Sequence, residues 1–594
     1  SGYPRAVVIK GTAGIGKRQM AEWLCHTAHE AGMATSLTAH HQEFKGPSHG
    51  IARMFANYLR TRGLNGPEVF KRTDTVLQRL GVTDAYDRES MARALLASSG
   101  AVSSPDTIPL GSAKERLALF ERVLQSLTRH RPVILHISEG QWASEGLQLT
   151  QRILAKRSRP LPVMIVVTCD QTLLQQRPQE SQHLDAISAS SMVETLALQP
   201  LHDDDARKLI ETTLQVEPRL AQQIQSHCAG SPVFAVQLVE GLVERGLIEP
   251  SQNGFRLKDG ARFSLPESIH ELWIDRVKVC LSSLPDAASD ALRVAAALGV
   301  DVEQAEWEAT CNSLNIDIPD KLITRLARAD LINTASDRWS FTHVLLRTAI
   351  AQQAGDQWKR IHLACANMLA GRTPTAGVNQ RIGQHLIEAG QQEDALEFVM
   401  RGVQECEDEG ALYEQLSLLD VYEKALVDLS IKENDLRWGK LWVERLRVEH
   451  DLNRFDLALS LATKLCDSAL KHNWQPLQAK AYRWRGIVAY TMNEYSEADA
   501  MFARADSLVN TADIHECAAI QRHWGLLMRR LGKPKEAMDK LQRAVEGFRN
   551  ENETRWLAYT LFNQAEVQQV LFNDNQAALQ LLREAQTLFE AQKN

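Results

Sequence analysis

Ala6-Val-Val-Ile-Lys-Gly-Thr-Ala-Gly-Ile-Gly-Lys-Arg-Gln-Met-Ala-Glu-Trp-Leu24 decides how the first third of the chain is read. Ala6 to Ile9 is a short apolar, β-branched run and predicts a buried strand. Gly11, Gly14 and Gly16 then crowd a turn that ends on Lys17, and an amphipathic run from Gln19 onward predicts a helix. Strand, glycine-rich turn and helix together are the context of a phosphate-binding loop. Glycines let successive backbone N–H groups converge on phosphate oxygens, the helix N-terminus adds partial positive charge, and a lysine reaches the outer phosphates. Gly11, Gly16 and Lys17 fit the spacing G-x-x-x-x-G-K-[ST], but Arg18 stands where a Ser or Thr hydroxyl would hold Mg²⁺.

The rest of the chain sets the frame. Its 594 residues are enough for several domains, and an apolar fraction of 44% supports real cores. The net charge of −7 argues against direct nucleic-acid binding or an anionic membrane surface as the main partner. No apolar run approaches a membrane span and no signal peptide opens the chain, so a cytoplasmic protein is expected. Nine cysteines, scattered without a Cys-x-x-Cys pair, point to reduced core thiols, with neither zinc nor disulfides. The chain opens on Ser-Gly and meets its first strand almost at once, as expected of a piece of a longer protein with an effector segment upstream.

Further strands are predicted at Pro132–Ile137 and Leu161–Thr168, while residues 30–110 mix helical patterns with loops and Gly100–Pro109 predicts a linker. Alternating strands and helices argue for a parallel sheet with its site at the strand carboxyl ends. Gly11–Lys17, Ser138 with Glu139, and Cys169 with Asp170 all fall at such ends. From about Asp356 onward the pattern is helical almost without interruption. Arg454-Phe-Asp-Leu-Ala458, Tyr495-Ser-Glu-Ala498, Pro534-Lys-Glu-Ala537 and Asp574-Asn-Gln-Ala577 place alanines 40, 39 and 40 residues apart, with Gln392-Glu-Asp-Ala395 as a less regular earlier instance. Each unit is expected to run helix, polar turn, helix, with the alanine allowing close approach of the pair, as in a solenoid longer in period than the ordinary tetratricopeptide. Trp438, Trp442, Trp474, Trp484, Trp524 and Trp556 are expected to pack rather than to touch a ligand.

Val133-Ile-Leu-His-Ile-Ser-Glu-Gly-Gln-Trp-Ala143 resembles the Walker B stretch of STAND ATPases, signal-transduction relatives of AAA+ proteins. The family pattern is four apolar residues, Asp-Asp, two residues and Trp-Ala; its first Asp holds Mg²⁺ and its second carboxylate assists the attacking water. By resemblance these positions are Ser138 and Glu139, leaving Glu139 as the catalytic residue of a degenerate site. The third strand resembles the family's sensor strand but lacks its Arg. Leu198-Gln-Pro-Leu201 resembles the lead into the helical lid, and Gly230-Ser-Pro232 resembles the motif whose proline lies against adenine. Leu265-Pro-Glu-Ser-Ile opens, and Phe341-Thr-His343-Val-Leu-Leu-Arg347 closes, a segment resembling the family's winged helix, in which His343 is the candidate for contact with phosphate. The repeats resemble those of the bacterial maltose-regulon activator and its relatives.

The expected fold class is therefore an α/β P-loop domain (1–197) with a parallel sheet, a helical lid (198–261), a winged helix (262–352) and an all-α, TPR-like solenoid (353–594). The resemblance implies nucleotide binding by Gly11, Gly14, Gly16, Lys17, Arg18, Pro232 and His343. ATP or ADP is the implied cofactor, and no metal site is expected, because Arg18 and Ser138 replace both Mg²⁺ ligands. Three functions fit. The first is a regulatory scaffold with a degenerate ATPase site, signalling to a protein partner through the repeats, with Arg18 paired to a phosphate or to Glu139 in place of the ion. The second is a working ATP-dependent switch that forms homo-oligomers on ligand binding. The third is an interaction protein that binds no nucleotide.

Overall fold

The first strand, β1 (Arg5–Gly11), is central to its sheet because both of its edges are taken. The computed structural model describes residues 2–42, 49–98, 113–155, 161–251, 254–258, 266, 268–335, 337–372, 377–408 and 411–591. The linker expected at Gly100–Pro109, the lid boundary at 261/262 and Leu265 lie outside these residues. Among the described residues the chain divides into two compact units, one ending at Ala395 and the other beginning at Leu396.

In the first unit β2 (Thr35–His40), β3 (Val133–Ser138), β4 (Val163–Asp170) and β5 (Val193–Ala197) join β1 in a parallel sheet of order β2-β3-β4-β1-β5. β1, β3 and β4 are the strands expected from the apolar runs. Every residue of β3 is buried, as a central strand covered on both faces requires. β2 and β5 were not expected. Both are edge strands: Thr-Ser-Leu-Thr-Ala-His buries only Leu37 and Ala39, and Val-Glu-Thr-Leu-Ala has no fully buried residue. Neither carries a continuous apolar run. The helix Lys17–Glu30 lays Ala21 and Cys25 against Ile9, Ile134 and Val166, and this packing fixes the helix start over the end of β1.

Beyond the sheet, the helices Pro218–Cys228 and Pro232–Glu244 share a core through Leu220, Ile224, Phe234, Leu238 and Leu242. Next come the helices Ile269–Leu281, Ala287–Leu298, Gln304–Ser313 and Leu322–Arg328. They accompany a small antiparallel sheet of Asp301–Glu303, Ile332–Thr334 and Arg338–Phe341, and the helix Val344–Gln352 follows. Trp273, Trp307 and Trp339 fill its interior, where the Trp307 indole donates to the Ala291 carbonyl at 2.7 Å. The helix Gln357–Ala370 contributes Ile361 and Cys365 to that same core, so this unit continues past residue 352.

In the second unit the helices pair as Leu436–Asp451 with Phe455–Lys471, Gln475–Thr491 with Tyr495–Leu508, Ile514–Arg530 with Pro534–Asn550, and Thr554–Val570 with Asn575–Ala591. The turn inside each pair holds one left-handed residue, Asn453, Asn493, Gly532 and Asn573 in succession. This is the geometry that ends a helix and satisfies its last carbonyls. Ala458, Ala498 and Ala537 are wholly buried and Ala577 is half-buried. A Cβ at Gly525 would come within 2.8 Å of Leu541, and one at Gly486 within 2.7 Å of Phe502, so small residues do set the spacing of the pairs. The tryptophans pack: Trp438 and Trp474 donate to the Ile431 and Asn434 carbonyls, and Trp524 to Asp499.

One buried contact in the first unit makes a testable demand. His362 and His385, both wholly buried, meet Nδ1 to Nδ1 at 2.9 Å. One nitrogen donates and the other accepts, so the contact holds a single proton. Burial and the Arg347 charge hold His362 down at about 3, and burial, His362, Arg381 and Arg347 hold His385 well below its ordinary value. Folded values below the unfolded value of about 6.5 mean a contribution that is complete above that pH and lost as pH falls through it. We expect the opening free energy of the helices Gln357–Ala370 and Val378–Glu388, measured by hydrogen exchange corrected for intrinsic rates, to fall by on the order of 1 kcal/mol per pH unit below pH 6.5. His362→Gln should flatten that slope; equal slopes in both proteins would show that the pair does not set acid sensitivity.

Candidate functional site

β1 ends at Gly11 and the next helix begins at Lys17, leaving a loop that is neither strand nor helix. Gly14 (φ 78°) and Gly16 (φ 97°) are left-handed. A Cβ at Gly16 would touch nothing, so its requirement is conformational; one at Gly14 would also come 3.3 Å from Ser231 Oγ. Among the described residues no protein acceptor meets the N–H groups from Gly14 to Lys17. A row of open donors at a helix start is a cradle for an anion.

Lys17 is buried beneath this loop. Its Nζ donates to the Gly11 carbonyl at 2.9 Å and the Thr12 carbonyl at 2.6 Å, and lies 3.5 Å from Asp170 Oδ2. Strand order explains the partner. β4 lies between β1 and β3, and the register sets Asp170 directly across from Gly11. Asp170 Oδ1 accepts from the Thr172 and Leu173 N–H groups at 2.9 and 3.1 Å, so both carboxylate oxygens have partners. Gln141 ties the two strand ends together: its Oε1 accepts from Asp170 N–H at 2.9 Å and its Nε2 donates to Glu139 Oε2 at 2.7 Å. Neither Asp170 nor Gln141 was assigned a role from sequence. Their only signal was position after an apolar run, and the pairing needs the strand order.

The remaining expected residues fall as follows. Ser138 is buried at the end of β3, where its carbonyl accepts from His41 Nδ1 at 3.2 Å. Glu139 takes a left-handed conformation just beyond, and among the described residues no ion pair joins it to Lys17 or Arg18. Arg18 does not pair with Glu139. Its Nε sits 2.6 Å from Glu22 Oε1 one turn along its own helix, at the surface. Its charge still reaches inward: burial first, and Arg18 among the charges after it, push His40, His136 and His343 below their ordinary value, His136 to about 3.

Neighbours of Pro232 and His343 reach the loop. The Gly14 carbonyl accepts from Ser231 Oγ at 3.3 Å and Val233 N–H at 3.4 Å, at the helix start that Pro232 opens. A Cβ at Gly14 would lie 3.7 Å from Leu345 Cδ1, two residues past His343. The His343 ring packs against Trp273, with centroids 5.2 Å apart and planes tilted by 40°, and Trp273 lies under the Arg276 guanidinium at 5.3 Å. Arg276, buried, bonds Gln237, Glu240 and Glu244 of the Pro232–Glu244 helix and donates to the Ala329 carbonyl at 2.9 Å.

The acidic side chains near the loop do not gather into one cluster. Among the described residues no group of three or more His, Cys, Asp or Glu side chains could hold a metal, Arg18 and Ser138 offer no carboxylate, and Asp170 is committed. Phosphate does fit the loop, through its open N–H groups.

No family profile and no curated protein matches the chain. Among solved structures it is similar to a Signal Transduction ATPase with Numerous Domains (STAND) protein with a tetratricopeptide repeat sensor from Pyrococcus horikoshii, at 14% identity over 99% of this chain and 89% of that one, with a TM-score of 0.35. It is also similar to a Walker-type ATPase of Pyrococcus abyssi (11% identity, 58% and 90% covered, TM-score 0.26). A kinesin light chain with TPR-like repeats from Podospora anserina matches at 12% identity (35% and 92% covered, TM-score 0.23). The fold stated above comes from this chain's own strand order and helix pairing. Among the described residues no helix is long and apolar enough to cross a membrane.

Leu201 N–H donates to the Gly230 carbonyl at 2.9 Å, joining the Leu198–Leu201 stretch to the Gly230–Pro232 stretch. Gly230 has φ 73°, and a Cβ there would come 2.5 Å from the Leu201 carbonyl oxygen. We expect Gly230→Ala to destabilise the first unit by about 2 kcal/mol or more in urea unfolding; a neutral result would mean that this corner is not fixed.

Proposed function

We propose that the chain is a STAND-type regulatory scaffold whose phosphate-binding loop can hold ATP or ADP but whose Mg²⁺ chemistry is degenerate. In this reading residues 1–197 are the nucleotide domain, 198–261 the lid, a winged helix begins at 262 and completes its core with the Gln357–Ala370 helix, and the repeats of the second unit, from Leu396 onward, take a protein partner. The order helix, strand, helix, helix, strand, strand over residues 287–341 supports the winged-helix assignment. Gly11, Gly14, Gly16 and Lys17 would receive the phosphates, Pro232 the base, and His343 would report the loop's state to the winged helix through Trp273. Glu139 would be the remnant catalytic position.

The observation that carries the proposal is the fate of the acidic groups beside Lys17. Asp170 is fully engaged by two N–H groups and an ammonium, Ser138 has replaced the other ligand, and Arg18 has turned to Glu22. Phosphoryl transfer depends on positioned neutralisation of developing charge, and the replacement of both expected ligands supports a site that would position a cation poorly.

The test is steady-state phosphate release from ATP with Mg²⁺ or EDTA. We expect turnover no greater than that of Lys17→Ala, and nucleotide affinity by calorimetry that changes less than about threefold when Mg²⁺ is removed. Arg18→Thr with Ser138→Asp should raise Mg²⁺ affinity more than the two single changes combined. Robust Mg²⁺-dependent turnover abolished by Lys17→Ala would overturn the proposal in favour of a working switch.

A further inference from the structure

Asp170 holds a carboxylate beside Lys17, the side chain that would meet the outermost phosphate of a nucleotide on the loop. Its Oδ2 lies 3.5 Å from Lys17 Nζ, and both residues are buried. Its place does not depend on Lys17. The strand pairing sets its backbone across from Gly11, Gln141 Oε1 accepts its N–H at 2.9 Å, and its Oδ1 accepts from the Thr172 and Leu173 N–H groups at 2.9 and 3.1 Å. The other cations at this strand end are engaged, Lys10 with Asp185 at 3.7 Å and Arg18 with Glu22 at 2.6 Å. Glu139 adds a second negative charge there: the Cys169 thiol, raised to about 11 by burial, feels Lys10, Lys17, Asp170 and Glu139 together.

An anion on the loop therefore meets a fixed amount of positive charge, from the N–H groups of the helix start and one ammonium. A phosphate oxygen in contact with Nζ at about 2.8 Å would lie within about 6.3 Å of Asp170 Oδ2, in a buried site where water and salt screen little. Should Lys17 swing away to follow the phosphate instead, a buried carboxylate loses its cation. A diphosphate can be met by the N–H row and the ammonium. A third phosphate brings another negative charge and no further cation to meet it.

We propose that Asp170 makes the loop selective for nucleoside diphosphates by repelling the third phosphate of a triphosphate. The inference rests on the reading of the loop as a nucleotide site and names which nucleotide that site keeps. The discrimination lies in the charge of the phosphate chain, not in the base or the sugar.

The experiment titrates ADP and ATP into the intact chain by calorimetry, in EDTA. We expect ADP to bind about tenfold or more tighter than ATP. Asp170→Asn removes the charge but keeps an oxygen for the Thr172 and Leu173 N–H groups. It should raise ATP affinity about tenfold and ADP affinity about threefold or less, closing the gap. A merely structural role for Asp170 would move both affinities alike, so equal gains or equal losses overturn the inference. A gap that survives Asp170→Asn overturns it too, because another group would then reject the third phosphate. The parent alone decides if Asp170→Asn fails to fold: ATP bound as tightly as ADP overturns the selectivity while leaving the loop a nucleotide site. If neither nucleotide binds the parent or the variant, the inference falls together with the reading beneath it.

Discussion

The parallel pairing of β1 with β4 is the constraint on which the first unit depends. It places Asp170 opposite Gly11, so the lysine of the loop finds a carboxylate one strand away, and not at the end of β3, two strands away. Everything else near the loop adjusts to that fact. Asp170 caps the short helix after β4, Gln141 reaches across from β3 to its N–H, and Glu139 is held through Gln141. The sheet thus builds a connected polar edge in which each carboxylate is answered by the protein itself. Such a network gives a rigid edge only while every member is satisfied.

The legible part of the fold was the part buried on both sides. β1, β3 and β4 read directly from Val-Val-Ile, Val-Ile-Leu-His-Ile and Val-Met-Ile-Val-Val because central parallel strands are apolar throughout. β2 and β5 were silent because an edge strand needs only half a face, and Thr-Ser-Leu-Thr-Ala-His satisfies that with Leu37 and Ala39. In the site, spacing marked the glycine loop and the Gly230-Ser-Pro232 segment whose Ser231 reaches it. It could not show that Arg18 would turn to Glu22, since the choice between a neighbour four residues along and an acid on another strand is made in three dimensions.

The repeats were legible for a different reason. A stacked helix pair restricts what may stand at the closest approach and at the turn, and those restrictions recur with the unit. The alanines announced the first. The left-handed turn residues Asn453, Asn493, Gly532 and Asn573 are the second, visible in retrospect as Asn or Gly a few residues before each alanine.

Arg276 has a mechanical consequence. One buried guanidinium fastens the Pro232–Glu244 helix to the Ile269–Leu281 helix and to the turn at Ala329, so these elements form one braced block. Ser231 and Val233, at the start of the Pro232–Glu244 helix, bond the Gly14 carbonyl. A displacement of the loop at Gly14 therefore bears on the whole block and not on one helix alone.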